Sequence, residues 1–402
     1  MMKRLQSILV LFLLLFGSGS VFGADFGASF RINPEWKGAG EETGTACAFT
    51  LGPWISASPH ENIDLYFSAD LSLRYEHEEW FPLPELCRFM LAWRPLPRLG
   101  LEIGRVRFSD PNNIVATGLF DGFSVSYALG GSRLSAGGYY TGLLYKDTAD
   151  IYMTASDSAA YQKPFEWENA AATYFASRRV LASISWEDPA LAGSPHGLYL
   201  NGLAQFDLNG EDDRLHTQYL SLRFLFSPLP VFSINSGGVL GLEEQAEADT
   251  ETGLALLLNA DWYLPTALRD MVSLGFRWGS GVMDGESGGV GPFLPVSSIS
   301  QGNVLNSSLS GLMVLRTAYT VRPYENLSLV LDGRYFFLAN RADSGTDNKA
   351  LGGELYGSLN WAPVMDITLT AGGGAFFPGM GNALPSGAPV QWLVSTGLTV
   401  SF

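Results

Sequence analysis

The chain has 402 residues, with 24 basic and 40 acidic side chains and a net charge of −16. This acid excess argues against nucleic acid as a partner, because phosphate recognition depends on basic side chains. A composition that is 47% hydrophobic and 13% aromatic, with 46 glycines, suits many short strands joined by Gly-rich turns.

At the N-terminus, Lys3 and Arg4 precede an apolar run over 5–16, followed by small residues over 17–23. Val21 and Gly23 occupy the −3 and −1 positions of a cut before Ala24. The run is shorter than the roughly 20 residues of a spanning helix, so 1–23 reads as a signal peptide. No Cys stands at the cut, so no lipid anchor is expected. Removing Lys3 and Arg4 leaves 22 basic residues, a net charge of −18, and 24–402 as a single mature domain. No plug or periplasmic module is expected ahead of the first strand. No later stretch approaches a spanning helix.

Alternation with period two runs through the mature chain. Ile63–Tyr75 is its clearest example: Ile63, Leu65, Phe67, Ala69, Leu71, Leu73 and Tyr75 on one face, Asp64, Tyr66, Ser68, Asp70, Ser72 and Arg74 on the other. This exceeds the usual globular strand and meets the roughly 9–11 residues of a tilted membrane strand. Cys87, Phe89, Leu91 and Trp93 similarly oppose Arg88 and Arg94, and the pattern recurs around Arg223, Arg277, Arg334 and Glu354. Nineteen strand-like segments result: 25–32, 45–56, 62–75, 85–94, 99–108, 121–129, 133–142, 168–178, 180–187, 197–207, 215–226, 231–242, 253–263, 271–279, 305–320, 327–339, 350–361, 366–377 and 390–402. An odd count conflicts with a closed up-and-down barrel. Strand directions counted from the two ends disagree near 180–210, so the reading is 18 strands (16–20), with 180–207 ambiguous.

Connections come in two kinds. Short Pro-bearing turns include 94–98, 227–230, 322–326 and 362–366, while longer acidic or Gly/Ser-rich loops are expected at 34–44, 76–84, 108–120, 143–166, 243–252, 280–304, 340–349 and 378–389. Such an asymmetry is the mark of an outer-membrane barrel. Gly291-Pro-Phe-Leu-Pro-Val296 is unusually apolar for a loop; it either folds into the lumen or stacks on the rim.

No chemical site emerges. His60, His77, His196 and His216 show no metal spacing and no nucleophile pattern, and the Gly-rich stretches do not precede helices. No cofactor, metal or enzyme activity is read. Cys47 and Cys87 lie on strands separated by another and read as free, small apolar residues. The inward charges carry the functional signal: Asp64, Asp70, Arg74, Arg88, Glu102, Arg105, Arg107, Arg223, Asp261, Arg277, Arg316, Asp332, Arg334 and Glu354. Strict alternation after Leu99, Leu101 and Ile103 puts Arg105 outside; a bulge at Gly104 would turn Arg105 and Arg107 inward. A cation on the lipid face at mid-membrane costs about 2–4 kcal/mol, which favours the bulge.

The chain closes on Trp392–Phe402, with Trp392, Val394, Thr396, Leu398, Val400 and Phe402 on one face. A final Phe after alternating apolar residues resembles the C-terminal signal of Gram-negative outer-membrane barrels, which the barrel-assembly machinery reads. Trp392, Leu398, Val400 and Phe402 carry that resemblance, and the mature chain as a whole is similar to porin-like barrels. The resemblance implies an all-β transmembrane antiparallel barrel in the outer membrane, contacting lipid and passing small polar solutes or ions. A homo-oligomer stays open, and nucleic acid is not a partner. Two rivals remain. A hydrophobic-substrate transporter would show a lateral gap and an apolar pocket; Asn33-Pro34 resembles the Asn-Pro-Ala of fatty-acid channels, but Glu35 breaks the match. A structural or adhesive surface barrel would show an occluded lumen.

Overall fold

The computed structural model describes residues 23–76, 78–210, 213–246, 250–281, 290–339 and 348–402. Its strands are β1 (Ala24–Ala39), β2 (Glu42–His60), β3 (Ile63–Glu76), β4 (Glu79–Leu96), β5 (Leu99–Ser109) and β6 (Thr117–Leu129). They continue with β7 (Ser132–Tyr140), β8 (Arg179–Asp188), β9 (Gly197–Asp207), β10 (Leu215–Leu229), β11 (Phe232–Gln245) and β12 (Glu251–Tyr263). The last six are β13 (Met271–Gly279), β14 (Leu312–Tyr324), β15 (Leu327–Leu338), β16 (Ala350–Val364), β17 (Ile367–Phe377) and β18 (Gln391–Ser401). Each pairs antiparallel with its sequence neighbours, and β1 also pairs with β18, closing an 18-stranded barrel. Closure leaves no terminal strand with a free edge, the one arrangement that lets apolar two-faced strands avoid association with other chains.

Alternation sets the faces as the sequence implies. Along the closing seam Phe30 pairs with Val400, Ile32 with Leu398 and Trp36 with Val394, all outward. Arg31 and Thr399 share the inner face. The outer surface carries exposed Leu71, Leu73, Leu220, Leu256, Leu274, Leu315 and Leu331, the apolar band of a membrane barrel. Among the described residues no helix is long and apolar enough to cross a membrane.

The two rims differ. One has turns as brief as 61–62, 97–98 and 325–326; the other carries the loops at 110–116, 141–178 and from Gly279 to Leu312. Five hairpins of the short-turn rim end in the same device. Register shifts at Ala57/His60, Trp93/Leu96, Phe226/Leu229, Val321/Tyr324 and Trp361/Val364 each enclose a proline one residue before the strand end. Proline has no N–H to give the ladder, so the ladder skips it and resumes at the turn.

Several expectations need correction. The segment 168–178 is not a strand: Trp167–Asn169 forms a 3-10 turn and Ala170–Thr173 a short helix, where three alanines favour helix over extension. Dropping it restores the even count, while 180–207 holds two ordinary strands, β8 and β9. The stretches 34–44 and 76–84 are hairpin tips rather than long loops: β1 and β2 pair out to Ala39 and Glu42, β3 and β4 to Glu76 and Glu79. Their charges belong to the wall. Cys87 is not on the lipid face, because a register shift between Ser68 and Ala69 turns it toward the lumen. Cys47 and Cys87 are both free. His77 lies outside the described residues, as do 247–249, 282–289 and 340–347 of the expected loops 243–252, 280–304 and 340–349.

Candidate channel and its loop constriction

Three loops fold into the barrel rather than away from it. The 110–116 loop is organised by Asp110, whose carboxylate accepts from the backbone N–H groups of Asn112, Ile114, Val115 and Ala116 at 2.8–3.1 Å. Asn112 then donates to Leu222 O and Gly238 O, and Arg223 donates to Pro111 O, so the opposite wall grips the loop. From the 290–311 segment, Val296 and Ser297 both donate backbone N–H to Val115 O, and Ser298 donates to Asp150 O in the third loop. Phe293 and Val296 are fully buried with Ile114, Val115, Phe120, Ile151, Leu181 and Val239. The apolar loop segment therefore enters the lumen. Its hydrophobic effect stabilises a partition across the barrel, filling the side bounded by β7–β12.

The third loop, 141–178, holds three short helices: α1 (Lys146–Ala149), α2 (Ala155–Tyr161) and α3 (Ala170–Thr173). Thr154 caps α2, accepting from Asp157 N at 3.2 Å while the Asp157 carboxylate accepts from Thr154 N at 3.1 Å, a reciprocal capping box. The same carboxylate meets Arg179 of β8 at 2.5 Å, and Asp207 of β9 lies 3.2 Å from that guanidinium; all three are almost fully buried. This network is the loop's anchor.

On the other side of the partition the lumen stays open. A cavity of about 1120 Å³ lies between the β1–β4 wall and the Arg105–Arg107 stretch of β5, with Leu144, Thr148 and Ala149 bordering it. Arg31, Lys37, Arg74, Arg105 and Arg107 line it with Glu35, Asp70, Glu76, Glu78 and Glu85. Arg31 of β1 bonds Asp70 of β3 along the wall, over Gly52 of the strand between them. Arg74 stands under the Tyr145 ring, 5.2 Å from its centre, and 3.8 Å from Asp147. Arg105 makes a two-pronged bond to Asp121 at 2.9 Å. Arg107 makes no hydrogen bond or ion pair with the described residues. Cations and carboxylates thus face one space from different strands, and that arrangement orients a polar solute.

The turn of Arg105 and Arg107 into the lumen starts at Gly104. Its φ of +115° suits glycine alone, and a Cβ there would sit 2.1 Å from Phe89 O. Beyond it β5 has no lipid-facing side: Arg105 is buried against the cavity, while Val106 and Phe108 are buried in the partition.

Most of the remaining inward charges are taken up by contacts. Asp64 meets Arg94 at 2.5 Å and Ser58 at 2.8 Å near the short-turn rim. Arg88 lies over the Tyr66 ring at 5.7 Å, and Asp261 accepts from Ser273 at 2.6 Å. Glu102 faces inward between Ala92 and Ser124. Arg316 and Arg334 share Asp332 at 2.8–3.1 Å, and Arg277 donates to Gln301 at 2.9 Å. Glu354 accepts the backbone N–H groups of Asn303, Val304 and Leu305 at 2.7–3.0 Å. These last groups face inward as expected, but they hold the 290–311 segment. Glu243, expected in an outer loop, is buried on β11 and accepts from Leu294 N. Sequence reasoning missed Arg31, Glu35, Lys37, Glu76 and Glu85. Arg31 was recoverable, because it alternates with Phe30 and Ile32.

Burial, and then Asp147, push the Asp150 carboxyl up to about 6. The folded loop therefore holds this proton more tightly than an unfolded chain would, whose value is about 3.9. Its seat is firmest at low pH and weakens as pH rises from about 4 through 6. Amide exchange across 144–151, corrected for intrinsic rates, is expected to be slower at pH 5 than at pH 7.5. Asp150→Asn, which tolerates the φ of 49° there, should abolish that difference.

No protein-family model matches the chain, and a search of curated proteins finds no match. Solved structures do match. OccK2 (OpdF) of Pseudomonas aeruginosa, in complex with glucuronate, superposes with a TM-score of 0.65 at 13% identity, covering 95% of this chain and 99% of that one. The chain has the fold of these outer-membrane porins. OpdK of the same organism gives 0.60 at 13%, covering 94% and 99%. A doubly substituted OccD1 (OprD) gives 0.59 at 12%, covering 95% and 97%. The porin fold thus spans nearly the whole described barrel, at identities too low for residue-by-residue transfer.

Proposed function

We propose that the protein is a passive, porin-like channel of the outer membrane for small hydrophilic solutes. The observation that carries this reading is the cavity between the β1–β4 wall and the inturned β5, lined by both signs of charge. Barrels of 16–18 strands have room for such an aqueous path, whereas eight-stranded ones fill with side chains. Solutes would diffuse down their gradient past Lys37, Glu35 and Glu76, then Arg74, Arg105, Arg107 and Asp70. Glucuronate, the ligand of OccK2, has the size and polarity this path suits. Liposomes carrying the protein should swell in isosmotic small sugars or sugar acids at rates that fall with solute size; swelling no faster than in empty liposomes would end the reading.

The outer-membrane address rests on the apolar outer face, and on the leader and the terminal strand read from the sequence. Residues 1–22 lie outside the described ones, so cleavage near Gly23 is part of the proposal. Trp392, Leu398 and Val400 face outward on β18, and Phe402, just past its end, exchanges backbone hydrogen bonds with Ala28 at 2.8–2.9 Å. Deleting Phe402 should cut the fraction of folded, heat-modifiable barrel several-fold in cells; normal assembly would detach the assembly-signal role from this residue. A purely hydrophobic substrate fits poorly, because the cavity carries five cationic side chains, each costly to leave facing hydrocarbon.

A further inference from the structure

The barrel wall is incomplete between β4 and β5. The ladder joins Leu99–Gly104 to Met90–Leu96 and ends there, yet β4 continues up to Glu79 bonded to β3 alone. Outward Tyr75 and Trp80 pack with tilted rings 5.1 Å apart, and Phe49 joins Trp80 at 5.7 Å, as in the aromatic girdle of a membrane interface. The unpaired stretch Phe81–Phe89 lies below that girdle, at hydrocarbon depth.

Bare backbone at that depth is costly, and this edge is blunted residue by residue. Pro82 and Pro84 have no N–H to leave unpaired. Tyr174 donates to Pro84 O at 2.9 Å, and Arg105 donates to Leu86 O and, at 3.1 Å, to Leu143 O. The missing wall is filled by two runs of the 141–178 loop that bond to each other: Ala176 N to Leu144 O at 3.0 Å and Lys146 N to Tyr174 O at 2.9 Å. Leu143 and Phe175 turn outward, 56% and 45% exposed. Between this ribbon and Glu79–Phe89 the described residues form no backbone–backbone hydrogen bond. Side chains alone hold the seam: Tyr174, Arg105, Thr148 on Glu85 at 3.1 Å, Asp147 near Arg74, and the Phe81 ring against Phe165 at 6.4 Å, with Leu83 buried beside them.

We propose that this seam is a lateral portal, through which the charged cavity opens to the outer leaflet for an amphiphile with one anionic head and one apolar chain. Parting it breaks a few side-chain contacts, where any other strand pair would lose a continuous ladder. The ribbon has an asymmetric hold that suits such movement. Its far side is fixed by the buried Arg179–Asp157–Asp207 network, while its seam side has mostly single, partly exposed contacts. The outer lips are apolar: Leu86, Phe89, Leu143 and Phe175. Behind them the Arg107 side chain faces the cavity with no partner among the described residues, whereas Asp121 is engaged by Arg105 and Glu85 by Thr148. A head group in the cavity would meet Arg107 while its chain lay across the lips. The proposal goes beyond axial diffusion and rests on that reading for the membrane position and for the charged cavity the two paths share.

The test uses full-length protein in lipid nanodiscs and planar bilayers, with 11-(dansylamino)undecanoate as the probe. In a Cys47→Ser/Cys87→Ser background, Pro84→Cys and Tyr174→Cys are bridged by a short, reducible bis-maleimide. The portal predicts saturable probe binding that weakens at least tenfold on bridging and returns on reduction, with single-channel conductance of the same protein changing less than twofold. Binding that is absent, or indifferent to the bridge, overturns the portal. So does a parallel loss of binding and conductance, which would make the ribbon a gate of the axial path. Should the double variant fail to fold, Tyr174→Phe serves instead: losing one seam contact should raise the probe's on-rate at least threefold, and an unchanged rate overturns the proposal. Loss of conductance in the unmodified protein would instead count against the channel, leaving the probe experiment to be judged separately.

Discussion

Arg179→Ala is expected to release the 141–178 loop while leaving the barrel closed, and to raise single-channel conductance. Arg179 is fully buried, with Asp157 at 2.5 Å and Asp207 at 3.2 Å. Removing the guanidinium strands two carboxylates out of water, and breaking a buried ion pair in this way costs about 3–5 kcal/mol. Asp157 is also the N3 partner of Thr154 in the capping box of α2, so its repulsion from Asp207 would unseat the helix that fixes the loop. The closing β1–β18 seam lies elsewhere on the barrel and shares no residue with this network, so the loss should appear as faster exchange over 144–161. Replacing all three residues by apolar ones of similar volume should recover much of the loss, because the desolvation penalty goes with the charges. If Arg179→Ala matches the wild type in exchange and conductance, the loop has another anchor.

Phe293→Ala is expected to have the second large effect. The ring is fully buried in the partition, packed edge-on to Tyr219 at 6.5 Å, and Tyr219 in turn donates to Leu294 O at 2.5 Å. Truncating a buried Phe to Ala typically costs about 3–5 kcal/mol, part of it for the cavity left behind. Here that cost falls on the seating of 290–311 against the 110–116 loop. Val296 and Ser297 should lose their bonds to Val115 O, the partition should loosen, and conductance should rise with greater current noise. A variant as quiet as the wild type would show that polar contacts such as those of Glu354 hold the segment unaided.

The barrel was legible because its rule is local. Period-two alternation needs only neighbouring residues, and Ile63–Tyr75 states it without interruption. The rims were harder. Asn33-Pro-Glu-Trp-Lys-Gly-Ala-Gly-Glu-Glu42 reads as a loop by composition, yet pairing with β2 and β18 holds most of it as strand, an override of propensity by tertiary context. That misreading hid Glu35 and Lys37. Gly104 was readable as a turning point, since a lipid-facing Arg105 is physically implausible. What no local signal could supply was the partner each inward charge would find. Glu354 and Arg223 alternate like pore residues, but each also hydrogen-bonds a loop far away in sequence, Glu354 to Asn303 and Arg223 to Pro111. Pro82 and Pro84 fall in the stretch 76–84 that composition reads as a loop, whereas they mark the edge of a strand whose other neighbour is missing.

An open path beside the partition would carry ionic current through single molecules. Purified barrel inserted in planar bilayers should give discrete, ohmic steps, with a reversal potential in a salt gradient that shifts when Arg107 or Glu76 is neutralised. A correctly folded barrel that stays electrically silent, with no steps in the wild type or in Arg179→Ala, would contradict the account.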